Sequence, residues 1–404
     1  MSASAAAGIR LGQGRAQRRR ILGVACGVHA LHDGFTDLIY ILLPVWQAQF
    51  GLSYAALGLL RMLFAGAMAG LQVPASALAV RIGGPLLLAI GTGLTGGAYV
   101  VLGLTGAGLA VLVIVLLVAG AGAATQHPIG SSLVATAYDA DGSRAALGTY
   151  NFAGDLGKMA VPAAVAWLVA LLSWRQAVGI IGALGLGAAV AILLLLPRNA
   201  PTSLRTEHKT TVMEHAHAAP GRSSAFPLLL AIGVLDSGTR MGFLAFLPFV
   251  LQAKQATTPT IGLALTLIFA GGAAGKLACG WLGAHLGVLR TVLLTELATA
   301  LGIVAIVPLP LAGALACLPL IGIALNGTSS VLYGTVPELV LPDRRERAFG
   351  LFYTGTIGGG AVAPVLYGFA GDALGPVHAI FVVAVVCLLT LPLAWALSPS
   401  LPRR

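Results

Sequence analysis

Nine ionisable side chains occur within long apolar stretches of this chain of 404 residues. At the centre of a bilayer each would cost about 2.5 to 3.5 kcal/mol on insertion scales, so such a residue is a functional hypothesis by default. Together they would cost on the order of 25 kcal/mol before any pairing. We therefore expect them to face a water-filled cavity or one another. They are Asp33, Asp37, Arg61, Asp155, Lys158, Asp236, Arg240, Lys276 and Glu296.

The first apolar stretch has a polar stripe at helical spacing. A residue thirteen positions beyond Arg20 lies about 20 Å along a helix, which places Asp33 near mid-membrane. A carboxylate in a partly dry cavity can bind and release a proton near neutral pH. We expect Asp33, Asp37 and His29 to couple protons; the alternative is packing carboxylates and neutral, hydrogen-bonded imidazoles. The stripe comprises His29, Asp33, Thr36, Asp37 and Tyr40, with His32 at its border.

Two further stretches each place an acid and a base on one helical face. Asp155 and Lys158 are three residues apart, in a stretch that also contains Asn151, and Asp236 and Arg240 are four apart. Such pairs suit a gate whose ion pairs exchange partners during transport. Permanent intrahelical salt bridges are the alternative.

The cations of these stretches bear on the substrate. Arginine binds carboxylates and phosphonates through two parallel hydrogen bonds, so an anionic or zwitterionic substrate is one interpretation. The other is that the cations only neutralise the acids, whose number nearly matches theirs. The cations are Arg61, Lys158, Arg240 and Lys276.

Three more stretches carry polar groups. Gln126 and His127 precede Pro128, which removes a helical hydrogen bond and should bend its helix into a gate or a site. Asn326 and Tyr333 lie on the corresponding stripe of a later stretch, where helix packing is the alternative. Glu296 is expected to form a structural pair on a peripheral helix.

Composition assigns the apolar stretches to a membrane. The chain is 58% hydrophobic and 9% charged, whereas charged residues make up about a quarter of soluble proteins. A soluble enzyme, a nucleic-acid-binding protein and a secreted disulfide-rich protein are excluded, despite a net charge of +10. None of the four cysteines has metal-ligand spacing, and we expect neither a metal nor another cofactor.

The predicted fold is an all-α polytopic membrane protein with twelve transmembrane helices in two pseudo-symmetric six-helix halves. Each apolar stretch is long enough to cross a bilayer as a helix, and the unbroken apolar runs exclude barrel strands. The predicted spans are 21–48, 53–80, 84–104, 108–137, 146–172, 175–197, 225–252, 259–284, 288–308, 310–340, 348–371 and 376–397.

Basic residues alternate between the predicted loops and give the orientation. Lysine and arginine accumulate on the cytoplasmic side, so both termini should be cytoplasmic. The two halves show a weak sequence repeat, because Asp33 and Thr36 correspond to Asp236 and Thr239 at an offset of 203 residues. The expected organisation is a cytoplasmic tail 1–20, a half 21–197, a cytoplasmic linker 198–224, a half 225–397 and a tail 398–404.

Several motifs resemble those of the major facilitator superfamily. The loop after the second span keeps Arg81 and Gly83 of the superfamily's G-x-x-x-D-R-x-G-R pattern, with Val80 in place of the acid. Within the superfamily, the chain is similar to the fosmidomycin-resistance type of efflux carrier. That similarity rests on His29 to Asp33, Phe50 to Ser53 with Gly58, His127-Pro128 with Ser131 and Ser132, and Glu338 to Pro342.

The resemblance implies a transporter with a midplane site between two halves. Gating is expected at Arg81 and Gly83 by resemblance, at Pro128 by its bend, and at Glu338 through pairing with Arg344. We predict proton-coupled export of a small toxic or drug-like compound across the bacterial inner membrane, by a monomer. The alternatives are proton-coupled uptake of an organic anion and a transport-inactive sensor. The chain has no nucleotide-binding loop and no H-E-x-x-H or G-x-S-x-G motif, and an enzyme is not expected.

Overall fold

The computed structural model describes residues 3–105, 108–138, 140–197, 225–341 and 344–401, with side chains from residue 14 onward except at 140, 141 and 346. These ranges contain helices and no strand. The predicted linker 198–224 lies outside the described residues. The helices are α1 Ala3–Phe50, α2 Tyr54–Ile82, α3 Gly84–Leu104, α4 Leu109–Ala123, α5 Gln126–Ala137, α6 Ala140–Leu171, α7 Trp174–Leu195, α8 Ala225–Ala253, α9 Thr258–Leu286, α10 Val288–Ala305, α11 Leu311–Leu339, α12 Arg345–Leu374, α13 Pro376–Leu388 and α14 Thr390–Leu397.

Eleven segments of the described chain are long and apolar enough to cross a membrane. α4 with α5, and α13 with α14, each count as one such segment. The remaining predicted span, 21–48, lies in α1 and completes the twelve. α1 is 48 residues long and carries two aspartates and two histidines in its apolar part. The all-helical polytopic fold is confirmed.

The fourth predicted span is interrupted at the place where the sequence predicts a bend. α4 ends at Ala123 and α5 begins at Gln126, immediately before His127 and Pro128. A proline at this position cannot donate a hydrogen bond to the carbonyl of Ala124, four residues earlier. The chain therefore turns at residues 124 and 125 and carries Gln126 and His127 on the first turn of a new helix.

The described residues form two compact units. One consists of those within Met1–Leu38, Leu63–Val161 and Leu171–Lys209, and in it α3 packs along α7. The other consists of those within Ile39–Met62, Pro162–Ala170 and Thr210–Arg404, and in it α9 packs along α11 and α8 along α12. The division into two six-helix halves remains a prediction.

Within the second unit, the start of α2 meets α12 along a glycine seam. A side chain at Gly58 would collide with the backbone of Pro364, and one at Gly368 with the backbone of Ala55. Only glycine permits backbones to approach so closely. The Asp372 carboxylate closes the seam by accepting hydrogen bonds from the backbone N–H groups of Tyr54 at 2.6 Å and Ala55 at 3.1 Å.

Candidate functional site

The candidate site of the first unit is centred on the carboxylate of Asp33 in α1. Its Oδ1 atom lies 3.5 Å from Nε2 of His29 and 3.8 Å from Nε2 of His127. Its Oδ2 atom lies 3.3 Å from the ammonium of Lys158. One oxygen therefore faces two imidazoles and the other faces a permanent cation, with side chains contributed by α1, α5 and α6.

The tautomer of His29 is set by a backbone carbonyl. Nδ1 of His29 lies 2.9 Å from the carbonyl oxygen of Tyr150, which can only accept, so Nδ1 carries a hydrogen. Nε2 then presents to Asp33 either a lone pair or a second hydrogen. Nε2 lies 3.5 Å from Oδ1 of Asp33, which is the distance of an ion pair when the ring carries both hydrogens.

Tyr150 and Gln126 fix the position of that imidazole. The Tyr150 ring stacks on the His29 ring with centroids 4.1 Å apart, and its hydroxyl accepts a hydrogen bond from Nε2 of Gln126 at 3.1 Å. His127 contacts His29 edge-on at 5.3 Å. The His29 ring is thus held by stacking on Tyr150, by the edge of His127 and by its hydrogen bond to the Tyr150 carbonyl. These contacts leave the ring few rotamers, which preorganises it for proton transfer.

Two glycines of α6 allow α1 to approach this closely. A side chain at Gly154 would press on the carboxylate of Asp33 and the ring of His29, and one at Gly157 would collide with the backbone of Ala30. Gly157 lies three residues after Gly154, on the same face of α6. The glycine pattern in this span therefore brings Lys158 to Asp33.

Lys158 links the acids of the site. Its ammonium is nearer to Asp33 than to Asp155, at 3.3 Å against 3.9 Å, and Asp37 also acts on it electrostatically. The predicted pair with Asp155 is present, but the stronger partner comes from another helix. The side chains of Lys158 and His127 are 31% and 36% exposed, whereas that of Asp33 is 9% exposed. The cation and one imidazole are thus accessible while the carboxylate is covered.

Three side chains of this site could also bind a metal ion. Ligand atoms of His29, Asp33 and His127 lie within 4.8 Å of one another. The Lys158 ammonium already opposes the Asp33 carboxylate, and a divalent cation would be placed beside that positive charge. The donor set suits a proton better than a metal.

The second unit contains the predicted pair of Asp236 and Arg240, with Nη2 3.7 Å from Oδ2. Nη1 of Arg240 also donates to Ser329 at 3.5 Å. Asp236 has a second acidic neighbour, Glu296 of α10, whose carboxyl group acts on it electrostatically. Sequence reasoning placed Glu296 on a peripheral helix; the structure buries it to 2% exposure.

The remaining residues of the predicted first-span stripe point to different neighbours. Nε2 of His32 lies 3.0 Å from the hydroxyl of Thr92 on α3. The Tyr40 hydroxyl donates to the sulfur of Met241 at 3.2 Å, and the Arg61 guanidinium lies over the Tyr40 ring at 5.1 Å. His32 thus forms a packing contact between α1 and α3, whereas Tyr40 and Arg61 contact each other in the second unit.

The other predicted residues are spread over both units. Asn326 donates to the carbonyl of Gly322 at 3.2 Å, and the Tyr333 ring lies 5.0 Å from that of Phe349. Gly83 has a φ of 94° between α2 and α3, a conformation that favours glycine. Pro128 lies in the first turn of α5. Exposed positions are Arg81, Asn151, Lys276, Glu338 and Arg344.

Sequence reasoning missed Tyr150, Cys387 and Thr390. Tyr150 directly precedes Asn151, and its role depends on stacking across two helices. Cys387 and Thr390 reach Glu296 from 91 and 94 residues away in the chain. No spacing within one helix signals such contacts.

The sequence profile of the Major Facilitator Superfamily matches residues 25–231 and again 228–404. The chain belongs to the Major Facilitator Superfamily. The superfamily's members are transporters of small molecules in the lipid bilayer, so this chain is a multi-pass membrane transporter rather than an enzyme. No curated protein sequence matches it significantly.

Solved structures agree with this superfamily assignment at the level of the fold. A bacterial homologue of the human lysosomal transporter Spinster, inward-facing and occupied, has a TM-score of 0.74 and 15% identity, over 95% of this chain and 97% of that one. Its unoccupied form gives 0.76 and 16%, over 95% and 98%. A variant of the nucleoside transporter NupG gives 0.74 and 12%, over 95% and 99%.

Proposed function

We propose that this superfamily member is a proton-coupled secondary transporter that exports a small toxic or drug-like compound across the bacterial inner membrane. The finer resemblance to fosmidomycin-resistance carriers supports export, and the basic loops support cytoplasmic termini. One observation carries the coupling proposal: Asp33 lies between two imidazoles on one oxygen and a lysine on the other.

The proposed cycle uses this geometry in two steps. Without the transported proton, the Asp33 carboxylate pairs with Lys158 at 3.3 Å. A proton arriving through the accessible His127 or along His29 neutralises Asp33 and weakens that pair. Protonation therefore changes both the charge of the covered site and the availability of its cation.

The second candidate is uptake of an organic anion together with protons. The partial exposure of Lys158 and His127 favours it, because cationic and polar groups at an accessible surface bind anions. In this candidate the neutralised Asp33 leaves Lys158 to hold the anion. Export and uptake use the same residues and differ in the direction of proton flow.

Transport into proteoliposomes with an imposed pH gradient tests both candidates. The panel contains a phosphonate antibiotic, an organic carboxylate, a lipophilic cationic drug and a nucleoside, the last because one structural relative is a nucleoside transporter. Antiport predicts accumulation in vesicles that are acidic inside, and symport predicts accumulation in vesicles that are acidic outside. These signs do not depend on how the protein is oriented in the vesicles.

Protein-free liposomes and the Asp33→Asn variant are the controls. Movement of a compound that ignores the pH gradient of either sign would contradict proton coupling. Accumulation only in vesicles acidic outside would replace export with uptake.

A further inference from the structure

A second buried acidic centre lies in the other compact unit, around Glu296 of α10. Glu296 and Asp236 are 2% and 4% exposed. Among the described residues, no lysine, arginine or histidine pairs with Glu296, whereas Asp236 pairs with Arg240 at 3.7 Å. An unpaired carboxylate in so dry a place would be strongly destabilising, so Glu296 needs either a cation or a proton.

The hydrogen bonds around Glu296 indicate the proton. Its Oε2 atom lies 3.2 Å from the thiol of Cys387 and 3.3 Å from the hydroxyl of Thr390. Thr390 gives its single hydrogen to the carbonyl of Cys387 at the shorter distance of 2.6 Å. The Thr390 hydroxyl therefore gives Oε2 only the weaker part of its hydrogen bonding, and the Cys387 thiol is a weak donor. These two hydrogen bonds do not replace a cation, so a proton on Glu296 is the remaining way to neutralise it.

The contact with Asp236 leads to the same conclusion from another helix. The Glu296 and Asp236 carboxyl groups are neighbours, and two ionised carboxylates repel each other unless one of them holds a proton. Arg240 favours the ionised form of Asp236, which leaves Glu296 to hold the proton. One proton on the pair would remove the repulsion, and the guanidinium beside Asp236 favours its place on Glu296.

A polar side chain outside the acid pair also points into this centre. The hydroxyl of Thr239, on a residue 1% exposed, lies beside the thiol of Cys387 and the hydroxyl of Tyr367. Tyr367 of α12 and Thr328 of α11 complete the surroundings. Among the described residues, the titratable or charged groups at this centre are Arg240 and Cys387 beside the acid pair and Tyr367 beside Cys387.

We propose that Glu296 and Asp236 form a second proton-binding site, in which Arg240 controls whether the proton stays on Glu296 or moves to Asp236. When Arg240 stays at Asp236, the proton remains on Glu296. When Arg240 turns towards Ser329, to which it already donates at 3.5 Å, Asp236 loses its cation and accepts the proton. Proton binding here does not require the proposed transport function; only its use in coupling rests on that function.

Infrared spectroscopy of the full-length protein in lipid tests the site without a transport assay. A protonated carboxyl group has a C=O stretching band that is separate from the amide bands and shifts in D₂O. We expect this band near pH 7 in the wild type, its full retention in Asp33→Asn, and its loss in Glu296→Gln. Glutamine keeps the size and a hydrogen-bond donor towards Asp236, which makes it the matched variant.

Cys387→Ala provides a second test if Glu296→Gln does not fold. Removing the thiol takes one hydrogen-bond partner from Oε2, so the band should shift to higher frequency. A band that is absent from the wild type, unchanged in Glu296→Gln, or unshifted in Cys387→Ala would overturn the assignment. Loss of the band when sodium replaces choline at fixed pH would overturn it in favour of a metal cation.

Two combined outcomes distinguish failure of the proposed function from failure of the second proton site. If no compound of the panel responds to a pH gradient while the band behaves as expected, proton coupling of transport fails and the proton site stands. If transport is coupled and Glu296→Gln leaves both the band and the coupling unchanged, the second site fails and the Asp33 centre stands.

Discussion

Asp33 and Asp236 occupy equivalent positions in the sequence repeat, at an offset of 203, yet the structure gives them opposite environments. Asp33 is bordered by His127 and Lys158, whose side chains are about a third exposed. Asp236 is bordered by Glu296, which is 2% exposed, and by a half-buried arginine. The first carboxylate is connected to water through titratable neighbours, and the second is sealed among other helices.

The difference indicates a division of labour between the two acids. An acid that exchanges protons with water can couple to a gradient, and a sealed acid can only redistribute a proton among its neighbours. Asp33 obtains its partners from α1, α5 and α6, whereas Asp236 obtains an acid from α10 and a base from its own helix. The two aspartates of the predicted repeat therefore have surroundings that favour different chemistry.

The strongest test of this comparison neutralises each aspartate in turn. We expect Asp33→Asn to abolish accumulation driven by a pH gradient, while exchange of substrate across the liposome membrane survives in part because exchange need not release the proton. Asp236→Asn should retain gradient-driven accumulation at a reduced rate. Accumulation that persists in Asp33→Asn would show that the exposed centre is not the coupling site.

A larger side chain in place of an α6 glycine should push α6 away from α1 and so disturb the Asp33 centre. Gly157→Val would force α6 away from Ala30, and overpacking of this kind costs about 1 to 3 kcal/mol of folding stability. Thermal unfolding in detergent measures the loss. Gly187→Val, at a glycine of α7 with open space around it, is the matched control and should not lower the unfolding temperature.

Arg240→Gln tests whether the sealed pair acts as a gate. We expect the balance between inward-open and outward-open forms to shift, since removing the guanidinium takes away the cation that pairs with Asp236. Engineered cysteines on the two predicted faces, labelled with an impermeant reagent, should change in opposite directions. Unchanged labelling together with lost expression would indicate a structural salt bridge instead.

The Asp33 centre predicts a pH-dependent affinity for anions. Protonation of Asp33 weakens its pair with Lys158, so anionic substrates should bind more tightly as pH falls, by up to about tenfold per pH unit for one linked proton. Titration of a transported phosphonate or carboxylate from pH 5 to 8 measures the Kd, corrected for ionisation of the ligand. A flat profile would remove the argument for an anionic substrate.

The smallest expected effect concerns the carboxylate that closes the glycine seam. Asp372→Ala removes the acceptor for two backbone N–H groups at the start of α2, which should cost about 1 kcal/mol. Asp372→Asn keeps an acceptor and should lose less. Equal unfolding temperatures for wild type and Asp372→Ala would show that water replaces the carboxylate without cost.

The sequence alone predicted the features that depend on residues within one helix. Depth along α1 singled out Asp33, and spacings of three and four residues identified the pairs of Asp155 with Lys158 and of Asp236 with Arg240. The bend before Pro128 followed from the chemistry of proline. Each of these signals is carried by residues within a single helical segment.

Features that depend on the distance between helices were beyond the sequence. Lys158 is nearer to Asp33 than to Asp155, because glycines let α6 approach α1. Glu296 was assigned a structural pair on a peripheral helix, and its carboxyl partner on α8 depends on how α10 packs. A single sequence contains no direct record of either distance.

The glycine seam has a consequence for how ligand binding is measured. Its contacts are between backbones at Gly58, Pro364, Ala55 and Gly368, and Asp372 binds backbone N–H groups. If the seam opens in another conformation of the transporter, it favours the closed one by the same free energy whether a ligand is bound or not, and a ligand shifts that equilibrium only through its differential affinity. The seam therefore lowers the apparent affinity of any ligand that needs the other conformation, and a substitution there would alter that affinity without touching the ligand.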